Sequence, residues 1–182
     1  MISAADTLRR IESFEPTREE RKSRELILTL LEHSEKPFSR QQFEPGHITC
    51  SAVILDPGRG RTLLMYHHRF RRWLLPGGHV EETDASLEDT ARRETIEETT
   101  VQVASTIGLV GVDVHGIPAR KHKKEPFHLH HDLIFAFEAA SDAIAPTEEA
   151  PQVVWCQTAE LAQYDLPLNV KQALERAGFP LA

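Results

Sequence analysis

Leu75-Pro76-Gly77-Gly78-His79-Val80-Glu81, running on into Arg93-Glu94-Thr95-Ile96-Glu97-Glu98-Thr99-Thr100-Val101, is the stretch whose reading decides the fold. Between Glu81 and Glu98 the chain carries eight carboxylates against two arginines, a density that repels itself unless a cation sits beside it. If the stretch is helical, Glu94, Glu97 and Glu98 fall at i, i+3 and i+4 and share one face, where each like-charged pair costs a few tenths of a kcal/mol. Such a one-sided carboxylate face suits a hard divalent ion, which takes oxygen ligands and keeps several waters. Pro76-Gly77-Gly78 reads as a flexible loop, free to adopt positive φ and to turn its carbonyls, Gly77 above all, toward that ion. Ser86, with Asp89 three residues on, reads as the N-cap of the helix.

These residues resemble the Nudix box, G-x5-E-x7-R-E-U-x-E-E-x-G-U with U a bulky apolar residue. Gly78, Arg93, Glu94, Glu97, Glu98 and Val101 align with it. Fourteen residues separate Gly78 from Arg93 where the pattern has thirteen, so Asp84 or Ala85 stands in place of the first Glu, and Thr100 replaces the late Gly. The run His47 to Ile54 and Trp155 are similar to Nudix domains as well. The resemblance implies an α/β fold, a Nudix-type α/β/α sandwich with a mixed sheet, here with an N-terminal helical extension. It divides the chain into a helical extension (1–45), a hydrolase domain (46–165) and a C-terminal helix packing on it (166–182).

The activity implied is divalent-metal-dependent hydrolysis of the diphosphate linkage in a nucleoside diphosphate derivative, with Mg²⁺ or alternatively Mn²⁺. Glu94, Glu98, Glu97 and Gly77 are the expected metal contacts. Glu97, Glu94 and Glu149 are the candidate general bases, and Arg93 the brace that fixes a carboxylate rotamer. Two other functions stay open: a nucleotide-sensing module without catalysis, and an enzyme like isopentenyl diphosphate isomerase, which needs a reactive cysteine.

Around the box, the 182 residues suit one domain, and the net charge of -7 argues against polymeric nucleic acid or an anionic membrane as partner while allowing a free nucleotide bound through a metal. Cys50 and Cys156 offer neither zinc-type spacing nor a disulfide framework. With no basic, apolar leader at Met1 to Asp6, a cytoplasmic protein is expected, and a homodimer is allowed.

Thr17-Arg18-Glu19-Glu20 reads as a capping box, and Ile27, Leu30 and Leu31 as a helical apolar stripe. His47 to Leu55 and Arg61 to His67 read as a hairpin about Asp56-Pro57-Gly58. Arg69, beside Phe70, is the basic candidate for substrate phosphate, and Gly78 and His79 are further candidates for substrate contact. Ile107 to His115 and His128 to Phe137 read as two strands. Period-2 alternation groups His128, His130 and Asp132 on one face, and Asp113 with His115 on another. If the strands pair, these groups form a second metal site, a hydrogen-bonding wall for substrate, or a polar sheet face. Val153 to Trp155 reads as a last strand, and residues 167–178 as a closing helix stopped by Gly178.

Overall fold

A computed structural model describes residues 2–145, 147 and 150–181. Two compact units divide them, each discontinuous in sequence: residues 1–50, 79–90 and 112–133 in the first, and 51–78, 91–111 and 134–182 in the second.

In the first unit, helix α1 (Ala4–Ser13) starts on the Ser3 side chain, which accepts from the Asp6 N–H. Helix α2 (Arg21–His33) follows a turn closed by the reciprocal bonds of the capping box read in the sequence, Thr17 N–H donating to Glu20 Oε2 at 2.8 Å and Glu20 N–H to Thr17 Oγ1 at 3.3 Å, and its N-cap is Glu20, which makes no side-chain cap bond. Its stripe, Ile27, Leu30 and Leu31, is buried. Glu20 has a second task, since its Oε1 accepts from Val112 N–H at 3.4 Å, and Ser23 Oγ accepts from Val114 N–H at 3.1 Å. Both donors belong to strand β5 (Val103–Ile117), so two polar side chains, one on α2 and one at its N-cap, bond to strand backbone.

Strand β1 (Gly46–Leu55) is buried along both faces, as its β-branched and apolar run requires of a central strand. Gly46 opens it at φ 153°, where a Cβ would lie 1.9 Å from the Leu129 carbonyl oxygen, so no other residue fits. In the second unit β1 turns into β2 (Arg61–His67) with Leu55 opposite Thr62. Asp56 holds that turn by accepting from the Gly60 and Arg61 N–H groups, each at 2.8 Å. The strand order is β3-β2-β1-β6-β5, where β3 is Arg72–Leu74 and β6 is His128–Ala139; β4 (Gly77–His79) pairs with β1 and β7 (Val153–Gln157) with β2.

The core of the second unit gathers Val53, Leu55, Leu64, Ile134 and Ala136 from the sheet with Val170, Leu174 and Phe179 from the C-terminal segment. Each large side chain fully buried there contributes about 1.5–3 kcal/mol. Helix α4 (Leu168–Arg176) stops at Gly178, which takes φ 84°.

The box loop differs from the reading above. Gly77 and Gly78 are strand residues, and neither is among the described glycines with positive φ, which are Gly46, Gly108 and Gly178. Ala52 N–H donates to the Pro76 carbonyl at 2.9 Å, so backbone pairing with β1 overrides the low strand propensity of two glycines.

Candidate active site

Helix α3 (Leu87–Thr99) carries the acids. Ser86 caps it as expected, its Oγ accepting from Asp89 N–H at 3.1 Å and donating to Asp89 Oδ2 at 2.7 Å. Before the helix, Asp84 is buried at 7 % exposure and accepts from Thr90 Oγ1 at 2.8 Å and Glu81 N–H at 2.9 Å. The shorter acid thus organises the lengthened loop.

The helix leaves through Thr100 at φ 62°, the left-handed conformation that the pattern's glycine would take freely. Thr100 Oγ1 accepts from Ala145 N–H at 3.1 Å, which offsets some of the strain of a β-branched residue there.

In the second unit Glu98, 7 % exposed, accepts from Gly77 N–H through Oε2 at 2.9 Å. Gly77 thus meets Glu98 through its N–H. Gly78 owes its identity to Glu94, because a Cβ on it would lie 2.5 Å from the Glu94 carboxyl carbon. Arg93 Nη1 pairs with Glu94 Oε1 at 2.9 Å and Glu97 Oε2 at 3.1 Å, bracing both as anticipated. The Glu97 side chain is 53 % exposed, so it alone of the three meets water freely.

No basic residue stands in the last turn of α3, which ends at Thr99. A helix C-terminus already carries negative partial charge, and each acid there costs about 0.3–1 kcal/mol where a cation would be favoured. Glu97 and Glu98 in that last turn, with Glu94 just before it, offer the oxygen donors that a hard divalent cation takes.

The NUDIX domain family model matches residues 45–177. The chain belongs to the NUDIX family. Among solved structures this Nudix hydrolase is similar to the NUDIX domain of Shewanella oneidensis NrtR complexed with ADP ribose. The identity is 25 %, over 72 % of this chain and 85 % of that one, at TM-score 0.54. It is also similar to a NUDIX-family hydrolase from Clostridium perfringens (18 % identity, 72 % and 96 % coverage, TM-score 0.57) and to a C. elegans Ap4A hydrolase (17 %, 72 % and 94 %, TM-score 0.51). No curated protein matches the sequence with significance. The fold expected from the box, mixed α/β with helices flanking a mixed sheet, is the fold of these neighbours. Among the described residues no helix is long and apolar enough to cross a membrane.

The substrate candidates fall in different places. Arg69 lies over the Phe70 ring, 5.2 Å from its centroid, on the segment between β2 and β3. His79, His128 and His130 meet in the first unit, and His47, which the sequence reading passed over, joins them. Its ring centroid lies 5.1 Å from His79, 5.1 Å from His128 and 4.9 Å from His130. Asp132 accepts from Thr49 Oγ1 at 2.8 Å, and Asp113 pairs with His115 Nδ1 at 2.8 Å, so these two acids are committed to local partners.

Burial lowers the His47 pKa, partly offset by its bond to the Gln42 carbonyl, and lowers that of His79 to about 3, with His47 and Arg40 adding to the effect. His130 is driven down further by burial and by His79, and His131 sits at about 4 for want of solvation and because of His47. The signal for His47 was present in the chain: a histidine at the polar start of an otherwise apolar strand, two residues from Thr49, has a reason to be there. Glu149, the third candidate base, lies outside the described residues, as does Glu148.

Proposed function

We propose that this Nudix hydrolase cleaves the diphosphate linkage of a nucleoside diphosphate joined to a second group, using Mg²⁺ held by Glu94 and Glu98 with Glu97 beside them. The observation that carries this reading is the acidic C-terminal half of α3, with Glu98 bonded to Gly77 N–H and Glu94 lodged against Gly78. When bound, Mg²⁺ supplies charge neutralisation at the phosphate oxygens, lowers the pKa of an attacking water and orients the leaving group.

The chain's own residues do the rest. Gly77 N–H holds the Glu98 carboxylate in one rotamer. Arg93 restrains Glu94 and Glu97 from splaying under mutual repulsion. Glu97, exposed to water, takes the proton as the water oxygen bonds to phosphorus and the bond from phosphorus to the bridging oxygen breaks, releasing a nucleotide and a second phosphorylated product. Glu94 and Glu149 are the alternatives for that proton.

The 25 % identity to a domain complexed with ADP ribose makes ADP-ribose the first compound to try. In the domain scheme that accompanies this reading, residues 1–45 extend a hydrolase domain of 46–165 that is closed by 166–182. The isomerase alternative is disfavoured by its thiols. Cys50 is buried, and burial raises the buried Cys156 to about 11, with its Sγ donating to the Gln157 carbonyl at 3.3 Å.

The test is a panel of ADP-ribose, dinucleoside polyphosphates, nucleoside triphosphates and nucleotide sugars with Mg²⁺ or Mn²⁺, products resolved by chromatography. Cleavage within a diphosphate linkage supports the proposal. Calorimetric binding of a nucleotide with no product from any compound replaces it with the sensing module.

A further inference from the structure

We propose that His47, His79 and His130 form a binding site for a transition-metal ion of the zinc class, separate in its ligand chemistry from the carboxylates of α3. Among the described residues this is the group of three potential ligands found to converge, one nitrogen from each lying within 4.8 Å of the others. Imidazole nitrogens sit about 2.0–2.1 Å from zinc, so small side-chain rotations close such a triangle on one ion.

Hydrogen bonding supplies the second line of argument. His47 Nδ1 lies 3.0 Å from the Gln42 carbonyl oxygen, which only accepts, so Nδ1 carries the proton and Nε2 presents its lone pair. That Nε2 is buried and has no hydrogen-bond partner among the described residues, and the same is true of His130 Nε2. A buried polar atom left unsatisfied costs about 1–3 kcal/mol, and two of them aimed into one histidine cluster ask for a common ligand. A metal-bound histidine characteristically donates its other N–H to a carbonyl or carboxylate, and the Gln42 carbonyl already fills that role.

The chemistry of the donors selects the ion. Three imidazoles that burial keeps neutral at physiological pH suit Zn²⁺, Cu²⁺, Ni²⁺ or Fe²⁺ and are poor partners for Mg²⁺ or Ca²⁺. Three protein ligands leave a fourth position for water or an anionic oxygen. His128 stands beside the triad, its ring stacked on His47 at 5.1 Å and its Nδ1 bonded to the Pro126 carbonyl at 2.9 Å, where it steers and walls the site.

The test uses the full chain, stripped with chelator and titrated with Zn²⁺ by calorimetry. Loss of outer-shell partners alone costs 10–100-fold in metal affinity, so His47→Gln and His130→Gln are each expected to weaken Zn²⁺ by at least about a hundredfold. Glu98→Gln is expected to keep the Zn²⁺ affinity of the unaltered chain. Because a histidine variant can fail to fold, ring ¹⁵N spectra of the unsubstituted protein are recorded in parallel. Zn²⁺ is expected to move the His47, His79 and His130 ring nitrogens, and Mg²⁺ to leave them in place. Ring nitrogens unmoved by Zn²⁺, or Zn²⁺ binding lost in Glu98→Gln and kept in His130→Gln, would overturn the proposal.

Discussion

The acids of α3 and the histidines of β1, β4 and β6 are both clusters of chemistry-bearing side chains, yet one is written along thirteen consecutive helical residues and the other is assembled from three distant segments. The helix turns a spacing of three and four into a shared face by geometry alone. The histidines share a face only because β1, β4 and β6 are placed in one sheet, a fact that no local window contains. Proximity in the chain makes a site easy to see and says little about how well its ligands are satisfied. The acid face is braced by Arg93 and Gly77, whereas the histidine cluster leaves two buried nitrogens without a hydrogen-bond partner among the described residues.

Substituting Glu98 by Gln strikes the local cluster and spares the other. Metal stabilisation of developing charge is worth several kcal/mol, so turnover should fall by at least about a hundredfold with the far-UV circular dichroism unchanged. Near-normal turnover in a well-folded variant would remove the acids from the mechanism and leave the histidines as the principal site.

Next in size, Asp84→Ala removes the acceptor of Glu81 N–H and the shorter of the two Thr90 Oγ1 bonds, and should cost about 1–3 kcal/mol in urea unfolding at unchanged slope. An unchanged midpoint would mean that the lengthened loop does not depend on this acid. Gly78→Ala forces the Glu94 carboxyl aside and should lower turnover by about tenfold, equivalent to about 1.4 kcal/mol. Full activity would show that Glu94 does not need its present position. Thr100→Asn puts a residue tolerant of positive φ at the helix exit and should raise the urea midpoint, a gain of about 0.5–1 kcal/mol. A fall would show the Thr100 hydroxyl to matter more than its backbone strain. Smallest of all, treatment of the native protein with a thiol alkylator should leave turnover unchanged, because both cysteines are buried. Inactivation would return the isomerase to consideration.

What the sequence disclosed followed the reach of its rules. The Ser86 cap, the capping box of Thr17 and Glu20, the Asp56 turn and the Gly178 stop each depend on residues within five positions, and each stands where it was read. Pro76-Gly77-Gly78 misled because glycines carry no strand propensity, and their strand is imposed by β1. At Gly78 side-chain crowding from Glu94 excludes a Cβ, where the sequence reading expects freedom to adopt positive φ. The second-site reading brought His128 and His130 together but could not supply His47 or His79, which come from other strands.

Glu20 and Ser23 have a consequence during synthesis. The strand donors they accept from, Val112 and Val114, follow them by 92 and 91 residues. A ribosome adding about 5–20 residues per second makes that interval roughly 5–20 seconds. For that time α2 is made without the strand that Glu20 and Ser23 bond to. Helix α2 therefore has α1 to pack on from the outset, and the strand that Glu20 and Ser23 hold arrives only later.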